Sequence, residues 1–371
     1  MEEEQKYWIG FSVFPGIGPV RFKHLLNYFG SAKKAWQAPL ATLQKIRLGD
    51  KLSAEFDHFR KTHDLDVYLK QLEDLRVSVL TLNDPRYPKL LREISDAPFL
   101  LYVKAKKGKQ PINLERIIAV VGTRMVSRYG IEVTQKIVTE LVAYGFTIVS
   151  GLAYGVDAVA HQAALDAGGQ TIAVLGCGVD LIAPPSNARL YHQISEGGKG
   201  AIVAEMPLGM RPNKGLFPAR NRIISGLSLG VVVTEGAEDS GALITARYAA
   251  EQGREVFAVP GPITSPYSRG PAKLLKSGAK LVESAADILE ELGLNLTNPS
   301  TSLRTSPTNR YKAESEEEQK ILTCLASERR HIDEIVRATN LTTAEVSATL
   351  TLLEMKGIVR DYGEKVYGLA S

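Results

Sequence analysis

Four short segments of this 371-residue chain carry residue types able to hold an anion. Gly122-Thr123-Arg124 lies in a run with three arginines and no carboxylate between Arg116 and Ile131. Ser150-Gly151-Leu152-Ala153-Tyr154-Gly155 has glycines over which a phosphate or sugar can approach the backbone. Behind it, Asp157 and His161 stand four apart, on one helix face, as a possible acid–base or metal pair. From Met206 to Thr234 there are four cations, Arg211, Lys214, Arg220 and Arg222, and no acid. Cations neutralise phosphates, and Phe217 among them offers a face for a base, worth about 1–3 kcal/mol per stacked base. Finally, Ser240-Gly241 opens a helical pattern and can present N–H groups to an anion, with Glu235, Glu238 and Asp239 nearby as candidate acid–base groups.

Each segment also has a plain structural reading. The arginines can be solvated, Asp157 a capping carboxylate, His161 and Phe217 packed, and the acids mere partners of a helix dipole. The GxGxxG spacing of a dinucleotide site is missing, and Gly176-Cys177-Gly178 alone is weak.

These segments must be held by a framework, and the sequence supplies one. Short, wholly apolar stretches at Ile117–Val121, Phe146–Val149, Thr171–Leu175, Ala201–Ala204, Val231–Thr234 and Val256–Val259 alternate with helical patterns such as Ile131–Val142, Val156–Ala167 and Leu243–Gln252. That alternation predicts an α/β fold, an extended Rossmann-like, doubly wound and mostly parallel sheet over residues 65–292. An earlier strand is expected at Val77–Leu82. The loops at 122–130, 151–157, 211–222 and 240–241 then converge on the carboxyl ends of the strands.

Residues 1–64 read as a helical domain, in which Pro15-Gly16-Ile17-Gly18-Pro19-Val20 looks like the hairpin of a helix-hairpin-helix unit and Gly30 stops a helix. Residues 293–313, rich in Asn, Thr, Ser and Pro, read as a flexible linker. Residues 314–371 read as three helices and a hairpin, a winged-helix pattern. Its would-be recognition helix, 343–353, has Glu345 and no Lys or Arg, which argues against duplex readout.

Composition narrows the class. Hydrophobic residues make up 44%, charged residues 23%, and the net charge is only +4, so a basic site must come from local clustering. Cys177 and Cys324 cannot build a disulfide framework or a four-cysteine zinc site, and no histidine stands in an HExxH or CxxC context, so no metal is expected. The acidic start Met1-Glu2-Glu3-Glu4 is unlike a signal peptide, and no apolar run approaches the ~20 residues that span a bilayer. A cytoplasmic protein without a membrane span is expected.

In their order and spacing the motifs resemble the DNA-processing protein A family (DprA, also called Smf). The match rests on Gly122-Thr123-Arg124 with Ser127 and Gly130; Ser150-Gly151-Leu152-Ala153 with Gly155, Asp157 and His161; Phe217-Pro218-Ala219-Arg220-Asn221-Arg222-Ile223; and Ser240-Gly241 with Thr245-Ala246. The resemblance covers 77–283 and extends to both flanks, a sterile-alpha-motif-like domain before and a winged helix after. It implies a non-enzymatic, sequence-independent single-stranded DNA-binding protein without cofactor. Such a protein protects the strand and loads RecA recombinase onto it in natural transformation and recombination, as a homodimer. By motif, Arg124, Lys214, Phe217, Arg220, Asn221 and Arg222 become DNA contacts, and Gly122, Thr123, Gly151, Ser240 and Gly241 supply backbone or hydroxyl contacts. Some relatives have a basic residue where Tyr154 stands, and a tyrosine can stack instead. The alternative is a nucleotide-binding enzyme or sensor of the phosphoribohydrolase-like Rossmann type, whose loop the stretch Glu235–Gly241 matches only loosely.

Overall fold

A computed structural model describes residues 3–46, 48–106, 115–213, 215–294, 315–325, 329–363 and 365–369. It divides into two compact units, one within residues 1–299 and one within 300–371.

The first unit opens with α1 (Glu3–Val13), α2 (Pro19–Phe29), α3 (Ala32–Gln37), α4 (Leu40–Lys45), α5 (Asp50–Thr62) and α6 (Leu65–Asp74). Next come β1 (Val77–Thr81), α7 (Lys89–Glu93) and β2 (Leu100–Ala105). An alternation follows: β3 (Ile117–Val121), α8 (Arg128–Ala143), β4 (Thr147–Ser150), α9 (Val156–Asp166), β5 (Gln170–Leu175), α10 (Ala188–Glu196) and β6 (Gly200–Ala204). It continues through α11 (Leu216–Leu227), β7 (Gly230–Val233), α12 (Gly241–Glu251), β8 (Glu255–Ala258), α13 (Arg269–Lys276), β9 (Lys280–Leu281) and α14 (Ala285–Glu291).

The strands form one sheet in the order β1-β2-β6-β5-β4-β3-β7-β8-β9. Pairing is parallel from β6 to β9, while β2 runs antiparallel to both β1 and β6. β3, β4, β6 and β7 are buried along their whole length, which is why their sequences are apolar without alternation. Alternate residues of β3 still serve opposite layers. Ile117, Ala119 and Val121 pack with Ile223, Ile224 and Leu227 of α11, whereas Ile118 and Val120 pack with Ile137, Val138 and Leu141 of α8. The winding direction reverses between β6 and β7, so the crevice of a doubly wound sheet falls at the carboxyl ends of β3 and β7.

The residues expected as a separate helical domain share a core with the sheet: Trp8, Phe11, Phe22 and Trp36 pack in one cluster with Tyr102, Leu175 and Ile202. Phe22 stacks on Phe99 at 4.1 Å between ring centroids. Gly30, with φ +79°, ends α2 in the left-handed cap that glycine favours.

The second unit contains α15 (Glu316–Cys324), β10 (Arg330–His331), α16 (Ile332–Thr339), α17 (Thr343–Met355), β11 (Val359–Asp361) and β12 (Val366–Leu369). Its strands are ordered β10-β12-β11, and Ile321, Leu322, Ile335, Val346, Leu350 and Leu353 form its own core. Thr342 and Glu345 cap α17 reciprocally. This is the expected winged helix with one short extra strand, β10.

Two features depart from the expectation. The antiparallel β2, inserted between β1 and β6, was not anticipated. Residues 211–222, expected as a loop, are helical from Leu216 onward, because Pro218 falls in the first turn of α11, where its missing N–H leaves no bond unmade. The expected linker, 293–313, lies almost wholly outside the described residues.

Candidate nucleic-acid interface

The loop after β3 is built around Glu235. This carboxylate, 1% exposed, accepts from the Ser127 N–H at 2.9 Å and the Ser127 hydroxyl at 2.6 Å. The Thr123 N–H donates to the Glu235 carbonyl at 2.7 Å, tying the β3 and β7 loops together. A Cβ at Gly130 would lie 2.0 Å from Glu235 Oε2, so glycine is required where the helix passes the carboxylate. With both its oxygens engaged on Ser127, Glu235 serves the start of α8; Glu238 and Asp239 are exposed.

The loop after β4 wraps around Asp157 and His161. Asp157 Oδ2 accepts from the N–H groups of Gly151 at 3.1 Å and Ala153 at 3.3 Å. His161 Nε2 accepts from the Leu152 N–H at 3.3 Å, and its Nδ1 meets the Thr171 hydroxyl at 2.6 Å. That hydroxyl donates onward to the Ile148 carbonyl, so Nδ1 must carry the proton that the pair shares. Burial, and then the charge of Arg220, depress His161 to about 3, so the ring is neutral. Burial raises the Asp157 carboxyl above its ordinary value, and Arg220 and the two N–H groups draw it back. The pair therefore shapes a loop. Among the described residues no cluster of three or more His, Cys, Asp or Glu could hold a metal ion.

Arg220 reaches this loop from α11. It is 7% exposed, its Nη1 donates to the Val174 carbonyl, and its Nε is buried without a partner. A Cβ at Gly151 would sit 1.9 Å from Nη1, so the guanidinium lies directly against that glycine. Among the described residues no carboxylate pairs with it. Burial lowers its pKa and Asp157 partly restores it, and a guanidinium keeps its charge in proteins. Asp157 therefore compensates the buried charge only in part, and an anion would relieve the remaining cost.

Arg220 and Arg124 line two adjoining cavities. The larger, ≈ 410 Å³, is also bordered by Thr123, Asn221, Ser240 and Gly241, the last with open space where a Cβ would project. The smaller, ≈ 220 Å³, is walled by Gly151, Tyr154, Leu175, Pro184 and Pro212. Ser240 caps α12 by accepting from the Ala242 N–H. Gly122 borders the larger cavity, close-packed against Val156 and the Glu235 carbonyl.

Eight of the expected residues thus meet at one place: Gly122, Thr123, Arg124, Gly151, Arg220, Asn221, Ser240 and Gly241. Arg222 does not. It is buried on another side of α11, with Nε 3.0 Å from Asp96 and Nη2 2.8 Å from Glu205. Lys214 lies outside the described residues; Phe217 is in the first turn of α11, and its side chain lies outside the described part. Tyr267 also lines the larger cavity, from a Pro- and Ser-rich segment that carries no motif and so gave no signal.

Comparison with known proteins bears on this arrangement. Residues 78–293 match the family model described as DNA recombination-mediator protein A, and residues 305–363 match a DprA winged helix domain. A relative called Protein Smf from Synechocystis sp. is 37% identical over 96% of each chain. The crystal structure of DNA processing protein A from Streptococcus pneumoniae superposes with TM-score 0.68 at 36% identity, over 78% of this chain and 98% of that one. DNA processing protein A from Helicobacter pylori, described for its single-stranded DNA binding mode, gives TM-score 0.52 at 29% identity, over 59% of this chain and 96% of that one.

Proposed function

Because the chain belongs to the DNA recombination-mediator protein A family, we propose that it binds single-stranded DNA independently of sequence, protects it, and loads RecA recombinase onto it during transformation and recombination. It does so in the cytoplasm, as a homodimer, and without catalytic turnover. The observation that carries the binding reading is Arg220: a buried guanidinium that forms no ion pair among the described residues, lining two cavities where four loops converge. The related Helicobacter pylori protein, described for single-stranded DNA binding, supports the choice of ligand.

In this reading the backbone phosphates lie against Arg124, Arg220 and the α12 start at Ser240-Gly241, and Lys214 and Phe217 contribute from the segment before and at the start of α11. Asn221 and Thr123 supply polar contacts, and Gly122 and Gly151 let the strand approach the main chain. Arg222 acts by holding α11 in place. None of these contacts reads a base edge, so affinity is uniform across sequences and falls with salt. The hydrolase alternative gains no support from Glu235, whose carboxylate is engaged by Ser127.

Fluorescence anisotropy of a labelled oligothymidine and a matched duplex, at two salt concentrations, tests the binding step. Preferential, salt-sensitive binding of the single strand is expected; equal or absent binding overturns the reading. RecA loading is tested by filament nucleation on strands precoated with single-strand-binding protein, and dimerisation by sedimentation.

A further inference from the structure

The loop that carries Tyr154 is tied down residue by residue. The N–H groups of Gly151, Leu152 and Ala153 are all taken by Asp157 and His161, and Asn187 Nδ2 donates to the carbonyls of Leu152 at 3.0 Å and Ala153 at 3.2 Å. Leu152 with φ +56° and Gly155 with φ +73° fix the bend on either side. A Cβ at Gly155 would lie 2.2 Å from the Thr123 carbonyl, so this loop is pressed against the one after β3.

From that rigid base the Tyr154 side chain stands out, 50% exposed, and among the described residues no hydrogen bond or ring contact holds it. A single exposed tyrosine is ordinary on a protein surface; what sets this one apart is the cavity it borders. The ring borders the smaller cavity, whose other walls are Leu175, Pro184, Pro185 and Pro212, with the Arg124 and Arg220 guanidiniums alongside. Guanidiniums suit phosphates, but apolar proline and leucine walls beside a phenol ring do not; they suit the flat face of a base.

We propose that Tyr154 is a base-stacking residue: an unpaired base lies on its ring at the mouth of the proline-walled cavity, while the flanking phosphates rest against Arg124 and Arg220. This rests on the single-strand reading above and adds the element that rejects duplex. A base already paired and stacked in a helix has no free face to give the ring. Because the loop is held before the ligand arrives, little ordering entropy opposes the contact.

The test pairs Tyr154→Ala and Tyr154→Phe with two ligands, an oligothymidine and an abasic strand of equal length, with affinities read by anisotropy. The alanine variant should bind oligothymidine about tenfold more weakly, as one lost stacking contact implies. It should bind the abasic strand as the parent protein does, and Tyr154→Phe should restore oligothymidine binding. Tyr154→Trp adds a spectroscopic readout: its emission should be quenched by oligothymidine, seen above the two buried tryptophans Trp8 and Trp36. An alanine variant that loses both ligands equally, or neither, overturns the stacking role, as does a tryptophan that is not quenched. A parent protein with no preference for single strands sinks the underlying reading as well, so the two failures are told apart.

Discussion

Arg220 and Arg222 are two positions apart on α11 and both are buried, yet their charges are answered differently. Arg222 is matched by Asp96 and Glu205. Removing it in Arg222→Ala strands the largely buried Glu205 and should cost about 3–5 kcal/mol of stability, read by urea unfolding. Arg220 forms no ion pair among the described residues, but its charge draws down the buried Asp157 carboxyl and its Nη1 donates to the Val174 carbonyl. Arg220→Gln should therefore cost less stability than Arg222→Ala without being neutral, while single-strand affinity falls at every sequence tested. A glutamine variant that binds as the parent does would remove the cavity floor from the interface. His161 gives a pH signature. Held near 3 in the fold against an ordinary value near 6.5, it stays neutral while the unfolded chain takes up a proton. Its contribution is therefore complete above about pH 6.5 and is lost as pH falls toward 3, with a slope approaching about 1.4 kcal/mol per pH unit. Urea midpoints at pH 7, 6 and 5 should show this decline, and His161→Gln should flatten it. Asp157, raised by burial, works in the opposite sense, and the comparison between the two proteins separates them.

Among the elements, the loops and helix starts at the carboxyl edge carry the sharpest consequences. Gly151→Ala would put a Cβ 1.9 Å from Arg220 Nη1, so the guanidinium must move. Single-strand affinity should drop although glycine has no side chain to lose, whereas Gly241→Ala meets open space and should leave stability unchanged. Ser240→Ala removes the cap of α12 and should cost about 1 kcal/mol, read by thermal unfolding. The central strands were legible because apolar, β-branched runs have few other uses: Ile117–Val121 is β3 residue for residue. The second strand, β2, was not, because nothing in Leu100–Ala105 announces an antiparallel insertion between distant strands. The start of α11 hid behind Gly215 and Pro218, and its apolar buried residues come only with Ile223, Ile224 and Leu227. The same helix explains why Arg222 was grouped with Arg220. Two residues along a helix is a turn of about 200°, which sends the second arginine away from the cavities. The anion-favouring loops could be read because each follows a strand; which cation is buried without an ion pair could not.

At the scale of the molecule, the chain is two compact units, each with its own hydrophobic core. The cavities with Arg220 belong wholly to the first. A fragment of residues 1–299 should keep the oligothymidine affinity of the full chain in anisotropy, and the full chain should show a separate unfolding transition for the winged helix. Loss of binding in the fragment would give the second unit a direct part in the interface. No helix among the described residues is long and apolar enough to cross a membrane. The cluster that joins Trp8, Phe11, Phe22 and Trp36 to Tyr102, Leu175 and Ile202 also bears on how the protein is made. A ribosome delivers the aromatic helices first, β1 and β2 reach them by Ala105, and β5 and β6, which complete the cluster, arrive only by Ala204. During synthesis the cluster stays incomplete over that interval, a long-range pairing that slows folding and invites misassembly. Nascent chains halted before β6 should therefore be captured by chaperones, and chains halted after it should be released.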